Sequence, residues 1–385
     1  MPPLLFASEV FRASRHPPGH PLAIPRVSLT VDLLRALGWL PEAAYREAAA
    51  ASPADLARFH DAAYIQAVIK AERDQDLADA DRLTFNLGVN GNPIFGEVFR
   101  RPATSCGASL AAADAILAGG IAHCPAGGTH HGLRARASGY CVFNDPVLAI
   151  LKLLDAGLAR VFYLDLDAHF GDGVQIAFAD EPRVRTLSIH ESGRWPMPRD
   201  GTGFTGFGSA GDRGGGHACN CPVPPGFNDS EMAFLLDTVV TPRILAFAPE
   251  AIVVQAGADA LADDPMTRLS LSNRGLCRAI AAVVPLSPRL LVLGGGGYNP
   301  YAVARCWAAI WGTLCGIDVP TVLPAAGRDV LDSVRWRHRR GEPPDPRWLA
   351  SLLDPPASGP VRPAVIAIAR FLDEAGKKRP AKCGS

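Results

Sequence analysis

The chain has 385 residues, 48% of them hydrophobic, with 38 basic and 38 acidic side chains and a formal net charge of zero. That is ample apolar material for a large core, and the balanced charge excludes a general electrostatic grip on nucleic acid or an anionic membrane. No apolar run approaches the roughly 20 residues of a membrane span, Met1 to Val10 lacks the pattern of a secretory signal, and the nine scattered cysteines suit a reduced, cytoplasmic protein.

The first hundred residues are mixed. His16 to Pro21 reads as a loop, Val27 to Leu37 as a helix closed by Gly38, and Leu56 to Ile69 as a second helix. Asn86 to Pro93 reads as a surface loop. From Thr104 a rhythm begins. Ser105 to Leu117 is an Ala-rich helix, and Ile121 to Cys124 a strand. Asp145-Pro146 reads as an N-cap and first helical position of a helix that Gly157 stops. Strands follow at Val161–Leu164, Arg185–Ile189, Ala251–Gln255 and Leu290–Leu293, with helices at Glu231–Phe247, Arg274–Val284 and Pro300–Gly312. This alternation predicts a three-layer α/β fold with a central, mostly parallel sheet flanked by helices. Ser192 to Gly226 is a long Gly/Pro-rich insertion of little periodicity, and Cys219-Asn220-Cys221 within it reads as structural. The expected organisation is one domain over 1–320 and a loose C-terminal extension over 321–385, its last ten or so residues disordered.

In open α/β sheets the chemistry gathers beyond the carboxyl ends of the strands. Five strand ends here carry polar clusters: Gly127 to Gly132 with His130 and His131; Asp165, Asp167, His169 and Asp172; His190; Gly257-Ala258-Asp259; and Gly294 to Tyr298. Asp167 and His169 stand two apart at a strand end and face one side. With Asp259 they make two carboxylates and an imidazole, a donor set that suits zinc and leaves positions open. His130 and His131, adjacent between glycines, are poor packers and suit proton transfer. Asp165 and Asp172 remain to orient them. Tyr298 follows four glycines and can donate to an oxyanion. Each of these has a plainer reading as a turn, cap or packed residue; their coincidence carries the argument.

Six motifs in order, Gly127–Gly132, Gly139–Asp145, Asp165–Gly173, Ser188–His190, Gly257–Asp259 and Gly294–Asn299, make the chain resemble the histone-deacetylase-like zinc amidohydrolases. The stretch His190 to Arg194 looks most like the bacterial acetoin-utilisation deacetylases, relatives of class I histone deacetylases. The resemblance implies an arginase-like fold over about residues 10 to 315 and hydrolysis of N-ε-acyl-lysine. It makes Asp167, His169 and Asp259 the ligands of one zinc ion, and His131 the general base and then acid. His130 becomes its electrostatic partner, Asp165 and Asp172 the carboxylates behind His130 and His131, and Tyr298 the oxyanion donor. It places Gly139, Tyr140 and Gly296 along the acyl-lysine tunnel and Arg26 in a cavity behind the metal. It also implies a structural potassium or sodium ion held by Asp165, by backbone oxygens of Asp167, His169 and Ile189, and by the Ser188 hydroxyl.

The chain departs from the family pattern in places. Phe170 replaces a usual histidine, and Tyr140 a common phenylalanine. Met197 is expected on the tunnel wall that is usually aromatic. Asn90, Gly91 and Asn92 occupy the loop that usually supplies a rim aspartate. The expected substrate is an acyl-lysine protein or a small acylated amine. An acetylpolyamine hydrolase, a non-catalytic acyl-lysine binding module and a binuclear manganese ureohydrolase are the alternatives. The oligomeric state and the role of Ser192–Gly226 are not legible in the sequence.

Overall fold

The computed structural model describes residues 2–198 and 203–377. Eight strands form one sheet: β1 (Leu4–Ala7), β2 (Tyr45–Glu47), β3 (Gly120–Cys124), β4 (Val161–Asp165), β5 (Val184–Glu191), β6 (Ala218–Val223), β7 (Ala251–Gln255) and β8 (Arg289–Leu293). Their order is β2-β1-β3-β8-β7-β4-β5-β6, and every pairing is parallel. β4, β7 and most of β8 are buried throughout, as expected of parallel strands covered by helices on both faces. This is the three-layer fold predicted from the alternation of elements.

The order sets the chemistry. β3, β8, β7, β4 and β5 are consecutive neighbours, so the five strand-end clusters emerge side by side on one edge of the sheet.

Several local expectations change. Leu56–Ile69 is not one helix: Pro53–Leu56 and Ala62–Asp74 are separated by a turn, because Ser52 and Asp55 form a capping box that starts a short helix of its own. The helix after residue 144 is capped by Asn144, whose side chain accepts from the Val147 amide; Asp145 and Pro146 are its first two residues. Glu231–Phe247 is helical but contains a π turn at Leu236–Val240, just ahead of Pro242, which has no N–H for the regular ladder. The Gly/Pro-rich insertion holds the edge strand β6, in which Cys219 and Cys221 are buried free thiols.

Beyond residue 320 the chain packs rather than trails. Leu331, Trp336, Trp348, Leu352, Val365 and Leu372 join the hydrophobic core. Arg305, fully buried, reaches Asp354 and the Ser351 carbonyl. The expectation of disorder at the end of the chain falls, from residue 378 on, outside the described residues. Among the described residues no helix is long and apolar enough to cross a membrane.

Candidate active site

The turn after β4 carries Asp167 and His169, and the turn after β7 carries Asp259. The His169 Nδ1 atom lies 2.8 Å from Asp259 Oδ2 and 3.4 Å from Asp167 Oδ1. Among the described residues these three form the one buried group whose ligand atoms all lie within 4.8 Å of one another. Their carboxylates are held by N–H donors. The Gly296 amide donates to Asp167 Oδ2 at 2.7 Å, and the Gln255 side chain to the same oxygen at 3.3 Å. The His169 amide donates to Asp167 Oδ1 and the Ala168 amide to Asp259 Oδ1, each at 3.0 Å. Gly296 has to be glycine, since a Cβ there would collide with Asp259 Oδ2. Two carboxylates and an imidazole, oriented in advance and converging on one point, fit a zinc ion with open coordination positions.

Beside this group stand two histidine–carboxylate pairs. His130 Nδ1 lies 2.8 Å from Asp165 Oδ2, and His131 Nδ1 lies 2.6 Å from Asp172 Oδ1. A carboxylate accepts, so Nδ1 carries the proton in each ring and Nε2 turns inward; the two Nε2 atoms are 2.9 Å apart. The pairs differ in charge. Burial works against a proton on His130, but Asp165 and Asp167 outweigh it and raise the pKa to about 9. Burial and the charge on His130 lower His131 to about 4 in spite of Asp172. His131 is therefore a neutral imidazole at pH 7, and its basic Nε2 atom accepts from the Nε2–H of the charged His130.

Both histidines sit on the loop that follows β3. Asp145 and Asn144 hold that loop from outside. Asp145 accepts from the Gly128 and Thr129 amides, and Asn144 Nδ2 donates to the His130 and Gly132 carbonyls. The Asn144 amide in turn donates to His60 Nε2. These supports, with Gln255 and the Tyr163 hydroxyl 2.8 Å from Asp165, went unassigned in the sequence. For Asn144 and Asp145 a signal was present, since they close the motif Gly139–Asp145.

Tyr298 lines the same space, its amide anchored on Asp264 at 2.7 Å. Burial, with the charges of Asp259 and Asp167, pushes its hydroxyl well above the ordinary tyrosine range, so it stays a neutral donor. Arg26 lines this same cavity, of about 80 Å³, together with both histidines, Asp167 and His169, and donates to the Gly295 carbonyl at 2.7 Å, over the Trp307 ring.

Above the metal group the cleft opens between Gly139–Tyr140 and Trp195. Here the expectation for Met197 is corrected. Met197 is buried against Phe170 and Gly208, whereas Trp195 is 49% exposed and its ring stands 4.8 Å from that of His131. Backbone bonds from the Arg194 amide to Glu191 and from the Met197 amide to Arg194 make a turn, not a strand, and that turn presents Trp195. The wall is aromatic after all. Residues 199–202 of the Ser192–Gly226 insertion lie outside the described residues. Phe170 packs against His190 and Phe207, away from the metal group. Ser188 stands opposite Asp165 in the β4–β5 register, with its hydroxyl 2.8 Å from His190 Nδ1. Ile189 follows it on β5, buried.

Gly139 lies at φ +53°, and a Cβ there would stand 2.6 Å from both His131 Cδ2 and the Trp195 ring. Gly139→Ala is expected to lower turnover tenfold or more and to cost over about 1 kcal/mol of stability, with metal content unchanged. Steady-state kinetics, thermal denaturation and metal analysis of the variant check this.

Comparison with known proteins gives the same answer as the geometry. A family model, the histone deacetylase domain, matches residues 20–314. The chain belongs to the histone deacetylase family. It is 36% identical over 321 residues to the acetoin utilization protein AcuC of Bacillus subtilis, covering 79% of this chain and 80% of that one. It is 34% identical to histone deacetylase 8 of Xenopus tropicalis, over 78% of this chain and 80% of that one. The crystal structure of a histone deacetylase homologue from Aquifex aeolicus superposes with a TM-score of 0.89 at 34% identity, covering 97% of this chain and 100% of that one. A histone deacetylase homologue complexed with SAHA gives 0.90 at the same identity and coverage. As a member of this family the chain is a deacetylase, an amidohydrolase by reaction class.

Proposed function

We propose that the protein is a zinc-dependent deacylase that hydrolyses the N-acyl, chiefly acetyl, amide of lysine side chains to a free amine and a carboxylate. One observation carries the reading: the Asp167–His169–Asp259 group, the neutral His131 on Asp172 and the protonated Tyr298 border a single space. Zinc held by the three ligands would polarise the amide carbonyl and acidify the attacking water.

The chain's own residues do the rest. Asp172 keeps the proton on His131 Nδ1, so Nε2 takes the proton of the attacking water. His130, charged beside Asp165, offsets negative charge as it develops. Tyr298 donates its hydroxyl hydrogen bond to the oxygen that gains that charge. His131, now protonated, returns the proton to the departing amine. Gly139, Tyr140 and Trp195 confine the lysine stem, and Gly296 holds Asp167. Arg26 lies where the acyl end of the site leads. The residues of the monovalent-ion reading, Asp165, Asp167, His169, Ser188 and Ile189, sit at the adjoining ends of β4 and β5, which supports a potassium or sodium ion there.

Assaying zinc-loaded protein against acetyl-lysine peptides and acetylpolyamines in parallel tests the reading; hydrolysis of neither sinks it. A binding module without catalysis is disfavoured because every group of the machinery is present.

Metal affinity should depend on pH. Burial opposes a proton on His169, but Asp167 and Asp259 outweigh it and raise its pKa to about 10. A metal must displace that proton, so affinity rises with pH up to about 10, by about tenfold per unit for one proton displaced. Burial and the charge of Asp167 also raise Asp259 to about 6, which steepens the loss below that pH. Competition with a chromophoric chelator at pH 6, 7 and 8 measures the slope; a flat profile contradicts it.

A further inference from the structure

The mouth of the cleft is a cavity of about 1160 Å³ with an unusual charge. Arg136, Arg194 and Arg268 line it, and no aspartate or glutamate does so among the described residues. Glu191 is the acid within reach of two of these arginines. It is fully buried, and it receives Arg194 at 2.7 and 3.0 Å and Arg268 at 3.1 Å. One carboxylate thus faces two guanidinium groups. The Arg268 side chain stays 69% exposed. Arg136 is exposed, with no ion pair among the described residues.

The other side of the mouth does not compensate. Asn86 and Asn90 are neutral amides bonded to each other at 2.9 Å. Asp172 and Asp264 lie near the cleft but are buried and already committed to His131 and to the Tyr298 amide. Among the described residues the mouth therefore presents two positive charges in excess around an aromatic slot. A cation approaching it is repelled, and a carboxylate can pair with a guanidinium at no cost to an existing ion pair.

Resting on the deacylase reading, we propose that the mouth selects acyl-lysines flanked by carboxylates, so that the substrate is an acidic peptide segment rather than a basic tail or a polyamine. Arg136 and Arg268 are the specificity-determining residues, and Trp195 and Tyr140 grip the lysine stem between them. Exposed arginines tolerate either direction of approach, so acidic residues on both sides of the acyl-lysine count.

The test uses three acetyl-lysine peptides of equal length, flanked by Asp/Glu, by Gly/Ser or by Lys/Arg, with N-acetylspermidine as a fourth probe. The zinc-loaded full chain is assayed for kcat/KM at low and high ionic strength. Binding of the same peptides to the Tyr298→Phe protein is followed by fluorescence anisotropy. The acidic peptide should exceed the basic one by about tenfold in both measurements, with the gap closing as salt rises. Arg136→Glu and Arg268→Gln should each shrink that ratio at least threefold. Equal or reversed preference in the unmodified mouth overturns the proposal, as does a preference that both variants retain. If no peptide is hydrolysed but binding still sorts by charge, the deacylase reading fails and the selectivity of the mouth stands.

Discussion

Asp167→Ala is expected to remove bound zinc and activity together. The side chain offers one oxygen to the point where His169 Nδ1 and an oxygen of Asp259 also converge, and it takes the amides of His169 and Gly296. Alanine deletes a ligand and leaves both amides without their acceptor. Two ligands do not retain the ion at ordinary concentrations, and turnover should fall by more than about 10³. Metal analysis of the purified variant beside peptide turnover measures both, and circular dichroism establishes that the sheet is intact. Stoichiometric zinc in this variant, at any activity, refutes the ligand assignment.

Tyr298→Phe should separate catalysis from metal binding. Phenylalanine keeps the ring that stands 6.2 Å from Tyr140 and keeps the amide on Asp264, and it loses only the hydroxyl. Because burial and the nearby carboxylates hold that hydroxyl protonated, what disappears is a neutral donor aimed at the site. Removal of one such donor typically costs about 10²–10³ in turnover. Zinc should remain at one per chain and KM should change little, since the bond strengthens only as charge develops. Full turnover in the variant would assign the oxyanion to another group.

These outcomes rest on residues that were readable in advance to different degrees. The strand-to-turn junctions after β3, β4, β7 and β8 announced themselves because a buried parallel strand is a continuous apolar run. Polar residues directly after such a run can only be at the sheet edge. β1 is a run of only four apolar residues, too short to tell from a piece of buried helix. The edge strand β2 carries no such run, and β6 lies among glycines and prolines, so pairing with a neighbour, not local pattern, makes them strands. Trp195 was missed for a related reason. The alternation that separates inward from outward residues holds on a strand, and Arg194 to Met197 is a turn whose own hydrogen bonds choose which side chain faces the cleft. Gln255 was overlooked because at the end of an apolar strand it reads as a stop signal, while its amide points at Asp167.

The strand order has a consequence for assembly. A parallel sheet ends in two rows of unpaired backbone groups, which invite a strand from another molecule. Here one margin is β2, only three residues long and largely exposed, too short a template for stable pairing. The other is β6, against which the helix Pro363–Lys377 packs, with Arg243 bridging to the Leu372 carbonyl. The segment after residue 320 thus shields a flank that would otherwise be open to chain-to-chain strand addition. Removing the helix Pro363–Lys377 should expose that flank and favour association between chains.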